Sequence, residues 1–275
     1  MPSSKSLHSP VEWPATGLTL REKASIVLLG GIGCLAVLIG VVGGLDGRPI
    51  AFRYGLGYGC LVLLVVFLSV LLRRPCHRNG DIRTASTESG SVTEIRQSRP
   101  LWGTVIVLMA CCTGLTAGAS IEIYVNRSGT GVPGAAVAIG VLGLLFASSL
   151  LAVGLGLLRR GHVRLSPEGV RQRGWAFESY LPWDAIAGVK PAYNGHRMVL
   201  LIGYANATWA RRYTTPIWRL DKLPPVPMIE LDCRKFAIDD VALCHLVEFY
   251  ASNPALRAEL GTEASLARFR ARDYQ

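Results

Sequence analysis

The chain has 275 residues, half of them hydrophobic, with a mean hydropathy of +0.34 and a net charge of +10. That is too apolar for an ordinary soluble globule, and 30 glycines point the same way, toward a membrane protein. In such a chain an excess of Lys and Arg reports orientation and contact with anionic headgroups, so the charge does not indicate nucleic acid as a partner.

In chain order, residues 1–23 read as a polar, disordered tail with Ser and Pro. Four apolar stretches follow, Ser25–Leu45, Tyr54–Leu72, Leu101–Ile121 and Pro133–Leu158, and none contains Asp, Glu, Lys, Arg or His. A helix needs about 20 apolar residues to cross a bilayer. Residues 24–158 therefore read as a region of four transmembrane helices, the first of them a retained helix and not a signal peptide. Residues 73–100, rich in Ser, Thr, Arg and Gly, read as a flexible linker between two helical hairpins. Gly40 with Gly44, and Gly114 with Gly118, fit a spacing that lets helices approach closely, either within one bundle or in a homodimer.

Basic residues set the expected orientation. Lys5, Arg21 and Lys23 precede the first span, Arg73, Arg74, Arg78, Arg83, Arg96 and Arg99 lie between the second and third, and Arg159 and Arg160 follow the fourth. The other two loops hold Arg48, Arg53 and Arg127. The positive-inside rule then puts both termini and the middle loop in the cytoplasm of a multi-pass plasma-membrane protein. The seven cysteines show no zinc or disulfide spacing, and the Cys76–His77 pair stands alone. Asn126-Arg-Ser matches a glycosylation acceptor.

After Arg160 the pattern changes. Val163 and Leu165 alternate with Arg164 and Ser166, as in a half-buried strand. Ser166, Pro167 and Gly169 suit a type I turn into a second strand. So few residues separate the fourth span from this hairpin that the domain is expected to lie against the bilayer. Further strands are expected in "ESYLPW", "AIAGVKPAY", "HRMVLLIGY", "WARRYTTP" and "MIELDCRKF". Asn194-Gly195 predicts a two-residue type I′ hairpin. Asp239 or Asp240 caps a helix that buries Leu243, Leu246, Val247 and Tyr250 and ends at Asn253-Pro254. A short basic helix follows Gly261, with Leu266 and Phe269 apolar, resting on lipid or on the domain. Residues 159–275 thus read as one cytoplasmic domain of about seven antiparallel strands capped by a C-terminal helix, which makes the chain an α+β membrane protein.

The stretches "RLSPEGVRQRG", "SYLPWDAIAGV" and "FYASNPALRAELGTEASLAR" resemble the bacterial PH-like domains of actinobacterial membrane proteins. The resemblance covers roughly residues 161–270 and implies a pleckstrin-homology fold. The role of these families is mostly undefined, so it implies no activity.

No catalytic signature is visible. His162, His196 and His245 fall on different elements, and Asp184 reads as a turn cap beside a core Trp183. The expectation is a non-enzyme without cofactor or metal. Arg and aromatic residues give the better-motivated site: Arg159, Arg160, Arg171, Arg173, Trp209, Arg211, Arg212 and Tyr213 form a candidate lipid or partner surface. The expected function is a membrane-anchored PH-like module that binds a protein partner or an anionic lipid surface and organises a complex. The alternative is a small transporter or channel accessory subunit, against which the uncharged spans argue.

Overall fold

The computed structural model describes residues 8–14, 17, 19–73, 82–87, 90–125 and 133–274. The Cys76–His77 pair, Arg74, Arg78 and the Asn126 acceptor site lie outside the described residues. The chain divides into two units. One comprises Gly17–Arg73 and Pro100–Gly156, the other Met1–Thr16, Arg74–Arg99 and Leu157–Gln275.

The first unit holds four helices long and apolar enough to cross a membrane, α1 (Leu20–Leu45), α2 (Pro49–Leu71), α3 (Arg99–Val125) and α4 (Pro133–Gly154). Thr19 starts α1 with a capping box. Its hydroxyl accepts from Glu22 N, and Glu22 Oε2 accepts from Thr19 N at 3.0 Å, which satisfies two end-of-helix donors. The glycines let α1 and α2 touch backbone to backbone. A Cβ on Gly40 would lie 2.6 Å from Leu56 N, and one on Gly44 would lie 2.7 Å from Phe52 Cδ2. The Gly40–Gly44 pair is therefore spent inside the chain, while added Cβ atoms on Gly114 and Gly118 would meet nothing within 4 Å. Between α3 and α4, Ser120 Oγ donates to Ala136 O at 2.7 Å.

The second unit is sheet-rich. Its strands are β1 (Ile82–Thr87), β2 (Gly90–Arg96), β3 (His162–Leu165), β4 (Gly169–Arg173), β5 (Phe177–Pro182), β6 (Ile186–Tyr193), β7 (Arg197–Gly203), β8 (Ala210–Tyr213) and β9 (Met228–Asp232). All pairings are antiparallel, in a six-stranded sheet of order β1-β2-β3-β4-β5-β8 and a three-stranded sheet of order β6-β7-β9. The seven strands expected after residue 160 are all present. The Ser166–Gly169 turn closes with Ser166 N donating to Gly169 O at 3.0 Å.

Helix α5 (Asp240–Ser252) packs into the core with Leu243, Leu246, Val247 and Tyr250 buried, and Asp239 caps it by accepting from Val241 N at 2.9 Å. The last helix, α6 (Glu263–Ala271), also rests on the unit. Leu266 and Phe269 are buried, and Ser265 Oγ lies 2.8 Å from Thr93 Oγ1 of β2. Gly261, at φ +85°, makes the turn ahead of α6, and its N–H donates to the same Thr93 hydroxyl at 2.8 Å.

Three expectations are corrected. The stretch 73–100 is not a flexible linker along its length. It supplies β1 and β2, and Ile95 of β2 is fully buried beside Val163 of β3. The tail 1–23 is not disordered throughout, because Trp13 is 5% exposed in the hydrophobic core and its Nε1 donates to Ala192 O at 3.0 Å. The β6–β7 turn spans Asn194 to His196 between the paired residues Tyr193 and Arg197, and of Asn194 and Gly195 only Gly195 has positive φ. A three-residue loop relieves Asn194 of the left-handed backbone that a type I′ turn would demand.

Candidate functional site

Register, more than sequence proximity, assembles the site. Successive cross-strand partners put Arg83, Glu94, Arg164, Arg171, Tyr180 and Ala210 in one row across all six strands of the larger sheet. The neighbouring row runs Arg96, His162, Arg173, Glu178, Arg212. Residues two apart along a strand share a face, so both rows lie on the same side. The opposite side carries Ile95, Val163, Leu165, Val170 and Leu181, all fully buried. At ~4.8 Å per strand the longer row reaches ~24 Å across the sheet.

This outer face carries six arginines and two glutamates, an excess of four positive charges. Glu94 gathers three of the arginines. Its Oε1 accepts from Arg83 Nη2 at 2.8 Å and Arg96 Nε at 2.6 Å, and its Oε2 accepts from Arg164 Nε at 2.8 Å. Burial raises the Glu94 pKa, but these charge-assisted bonds outweigh it and bring the carboxyl to about 2. Glu178 binds Arg173 and accepts from Arg212 Nε at 2.9 Å. Arg171 lies over the Tyr180 ring, 5.6 Å from its centroid. His162 is held neutral, its pKa lowered to about 4, first by burial and then by the charge of Arg164. Arg212 remains 73% exposed, and Arg171 is also exposed.

The expected surface is thus regrouped. Arg171, Arg173 and Arg212 belong to this face. Trp209, Arg211 and Tyr213 do not join them, because strand alternation turns Arg211 to the side of its partner Ser179. There Arg211 stacks on Trp209 at 4.5 Å and donates to Pro224 O, Trp209 Nε1 donates to Ser179 Oγ, and the Tyr213 hydroxyl accepts from Leu223 N. Arg159 and Arg160 precede β3; Arg159 N donates to Trp175 O, and Arg160 Nε donates to Gln97 O. Sequence reasoning missed Arg83 and Arg96 as site residues because their strands read as linker. It read Arg164 as outward-facing without joining it to a surface.

The other singled-out residues do not converge on this face. His196 sits in the β6–β7 turn, 3.7 Å from Asp232, and His245 lies on α5. Trp183 is core, its Nε1 donating to Ser166 O at 2.7 Å. Asp184, expected to cap a turn, instead pairs with Arg257 at 3.2 Å. Among the described residues, no group of three or more His, Cys, Asp or Glu could hold a metal ion.

Comparison with protein-family models, with curated proteins and with solved structures finds no match to this chain.

Proposed function

We propose that this is a multi-pass plasma-membrane protein that presents its sheet-rich unit at the cytoplasmic face and binds anionic phospholipid headgroups through the arginine-rich outer face of the larger sheet. The observation that carries this reading is the pair of cross-strand rows with four more arginines than glutamates. Each basic residue near an anionic surface contributes about 1 kcal/mol, so an excess of four is worth about 4 kcal/mol at low salt. Arg171 is exposed and Arg212, though paired with Glu178, stays 73% exposed, so both can meet phosphate oxygens, whereas Glu94 holds its three arginines in a fixed fan.

Chain connectivity supports a sheet-rich unit gathered on one side of the bilayer. The sheet-rich unit is built from three stretches of chain separated by two helical hairpins, and three stretches that fold together must share one side of the bilayer. The basic bias of the tail, the middle loop and the C-terminal segment supports the cytoplasmic side. The strand plan with its capping helix supports a PH-like module, and the same module can organise a complex at the membrane.

Native mass spectrometry of the full-length protein, extracted gently from membranes containing phosphatidylglycerol, tests the reading. The wild type is expected to retain phosphatidylglycerol, and the variant Arg171→Gln with Arg212→Gln to retain much less. Equal retention by both would contradict lipid binding at this face. A stoichiometric protein retained by the wild type alone would move the reading to a protein partner.

A further inference from the structure

Residues 8–14, His-Ser-Pro-Val-Glu-Trp-Pro, lie on β6, β7 and α5, on the smaller sheet, apart from the arginine face. The way they are held is unlike that of a strand or helix. One side chain is buried, that of Trp13. Its indole Nε1 donates to Ala192 O of the outer strand β6 at 3.0 Å, and the Arg197 guanidinium of β7 lies over its ring at 5.3 Å. The remaining ties run from unit side chains to main-chain carbonyls of the segment. Arg197 Nη2 donates to Pro14 O at 3.1 Å, and His245 Nε2 of α5 donates to His8 O at 3.1 Å. Arg197 is itself oriented by Asp240 at the start of α5, 3.6 Å away, and the His245 ring stacks with Tyr274 at 6.3 Å.

Between these contacts the segment is half-buried at Pro10 and exposed at Val11 and Glu12. Val11 is 99% exposed, Glu12 is exposed, and a tight turn brings Trp13 N to Pro10 O at 3.1 Å. The segment joins neither sheet. One buried aromatic anchor, flanked by main-chain carbonyls received by side chains, is how a short peptide is bound by a partner.

We infer that the surface formed by Ala192 of β6, Arg197 of β7 and His245 of α5 is a peptide-docking site that the chain's own residues 8–14 fill in cis. The same surface accepts in trans a segment of the same chemistry, an indole beside proline with a main-chain carbonyl on either side. Trp13 is only a few residues from the first residue of α1, so the cis segment competes at a high effective concentration and a trans peptide binds well only when it is displaced.

The test uses the full-length protein in phosphatidylcholine nanodiscs and a fluorescent peptide of residues 8–14. The peptide is expected to bind Trp13→Ala protein at least about ten-fold more tightly than wild type, and a peptide with its tryptophan replaced by alanine to bind neither. Failure to bind a Trp13→Ala protein that keeps the wild-type circular dichroism would overturn the inference, as would equal binding to both proteins. If the variant does not fold, hydrogen exchange on the wild type decides. Excess peptide is expected to speed exchange of the Trp13 indole N–H, which donates to Ala192 O, and exchange unmoved by peptide would overturn the inference by marking the segment as a fixed part of the core.

Discussion

Glu94 and Arg164 face each other across β2 and β3, and Arg164 Nε donates to Glu94 Oε2 at 2.8 Å. This contact joins a strand that precedes α3 to a strand that follows α4. The Glu94 carboxylate is nearly inaccessible and also holds Arg83 and Arg96. Replacing it by Glu94→Gln leaves three guanidinium groups together without a counter-charge. The expected cost is about 3 kcal/mol of stability in the sheet-rich unit, because removing one member of a buried ionic cluster strands the others. Thermal unfolding followed by near-ultraviolet circular dichroism should show a midpoint about 10 °C lower. An unchanged midpoint would mean that Glu94 is not the hub of the face.

His162 sets an acid limit. Its pKa is about 4 in the folded protein, below the usual histidine value of about 6.5. Between those values the unfolded chain takes up a proton that the folded protein does not, so stability is present above pH ~6.5 and falls as the pH drops toward ~4. Glu94 acts in the same direction at lower pH, its stabilisation being lost as pH falls from about 4.5 toward about 2. His162→Gln should flatten the stability profile between pH ~6.5 and ~4 while leaving the lower limb in place. A variant whose profile matches the wild type in that window would refute the assignment.

A fragment of residues 157–275 should not fold. Without β1 and β2 it lacks Ile95 and Glu94, and it opens the β3 edge beside Val163 and Leu165. It also lacks Thr93, whose hydroxyl receives Gly261 N and meets Ser265. Adding residues 82–96 through a linker should restore a cooperative transition in urea. Cooperative unfolding of the bare fragment would contradict the three-segment assembly.

Two glycine substitutions should separate packed from unpacked helix faces. Gly40→Ala puts a methyl 2.6 Å from Leu56 N, which forces α1 from α2, so yield and thermal stability in detergent should fall. Gly118→Ala meets nothing within 4 Å and should be neutral or slightly stabilising, since alanine favours the helix by up to about 1 kcal/mol. Equal effects in a thermal-shift assay would contradict this packing.

Much of the fold was legible wherever one side of an element is apolar. The alternation of Ile229, Leu231 and Cys233 and the helical spacing of Leu243, Leu246, Val247 and Tyr250 each mark a buried face, and all these residues are buried. β2 escaped because its inward position Thr93 is polar, satisfied by Gly261 and Ser265, while its outward Glu94 is buried under arginines. No hydrophobic alternation survives those two reversals. Trp13 escaped because a single anchor has no period. The arginine face was legible only in fragments, since Arg83 and Arg212 are brought into neighbouring rows by strand register, which residue spacing does not reveal. In "WARRY" adjacency misled, because neighbours on a strand point to opposite sides.

The central claim is that the arginine-rich face meets anionic headgroups. A nitroxide attached to Ala210→Cys, at the exposed end of the longer row, reports on it, and one on Ala187→Cys in the smaller sheet serves as control. The full-length protein is placed in nanodiscs with and without phosphatidylglycerol, and access of a water-soluble relaxation agent is measured. Anionic lipid should protect the Ala210 label and not the Ala187 label, and high salt should remove the difference. Labels that respond alike, or an Ala210 label indifferent to lipid charge, would contradict the account.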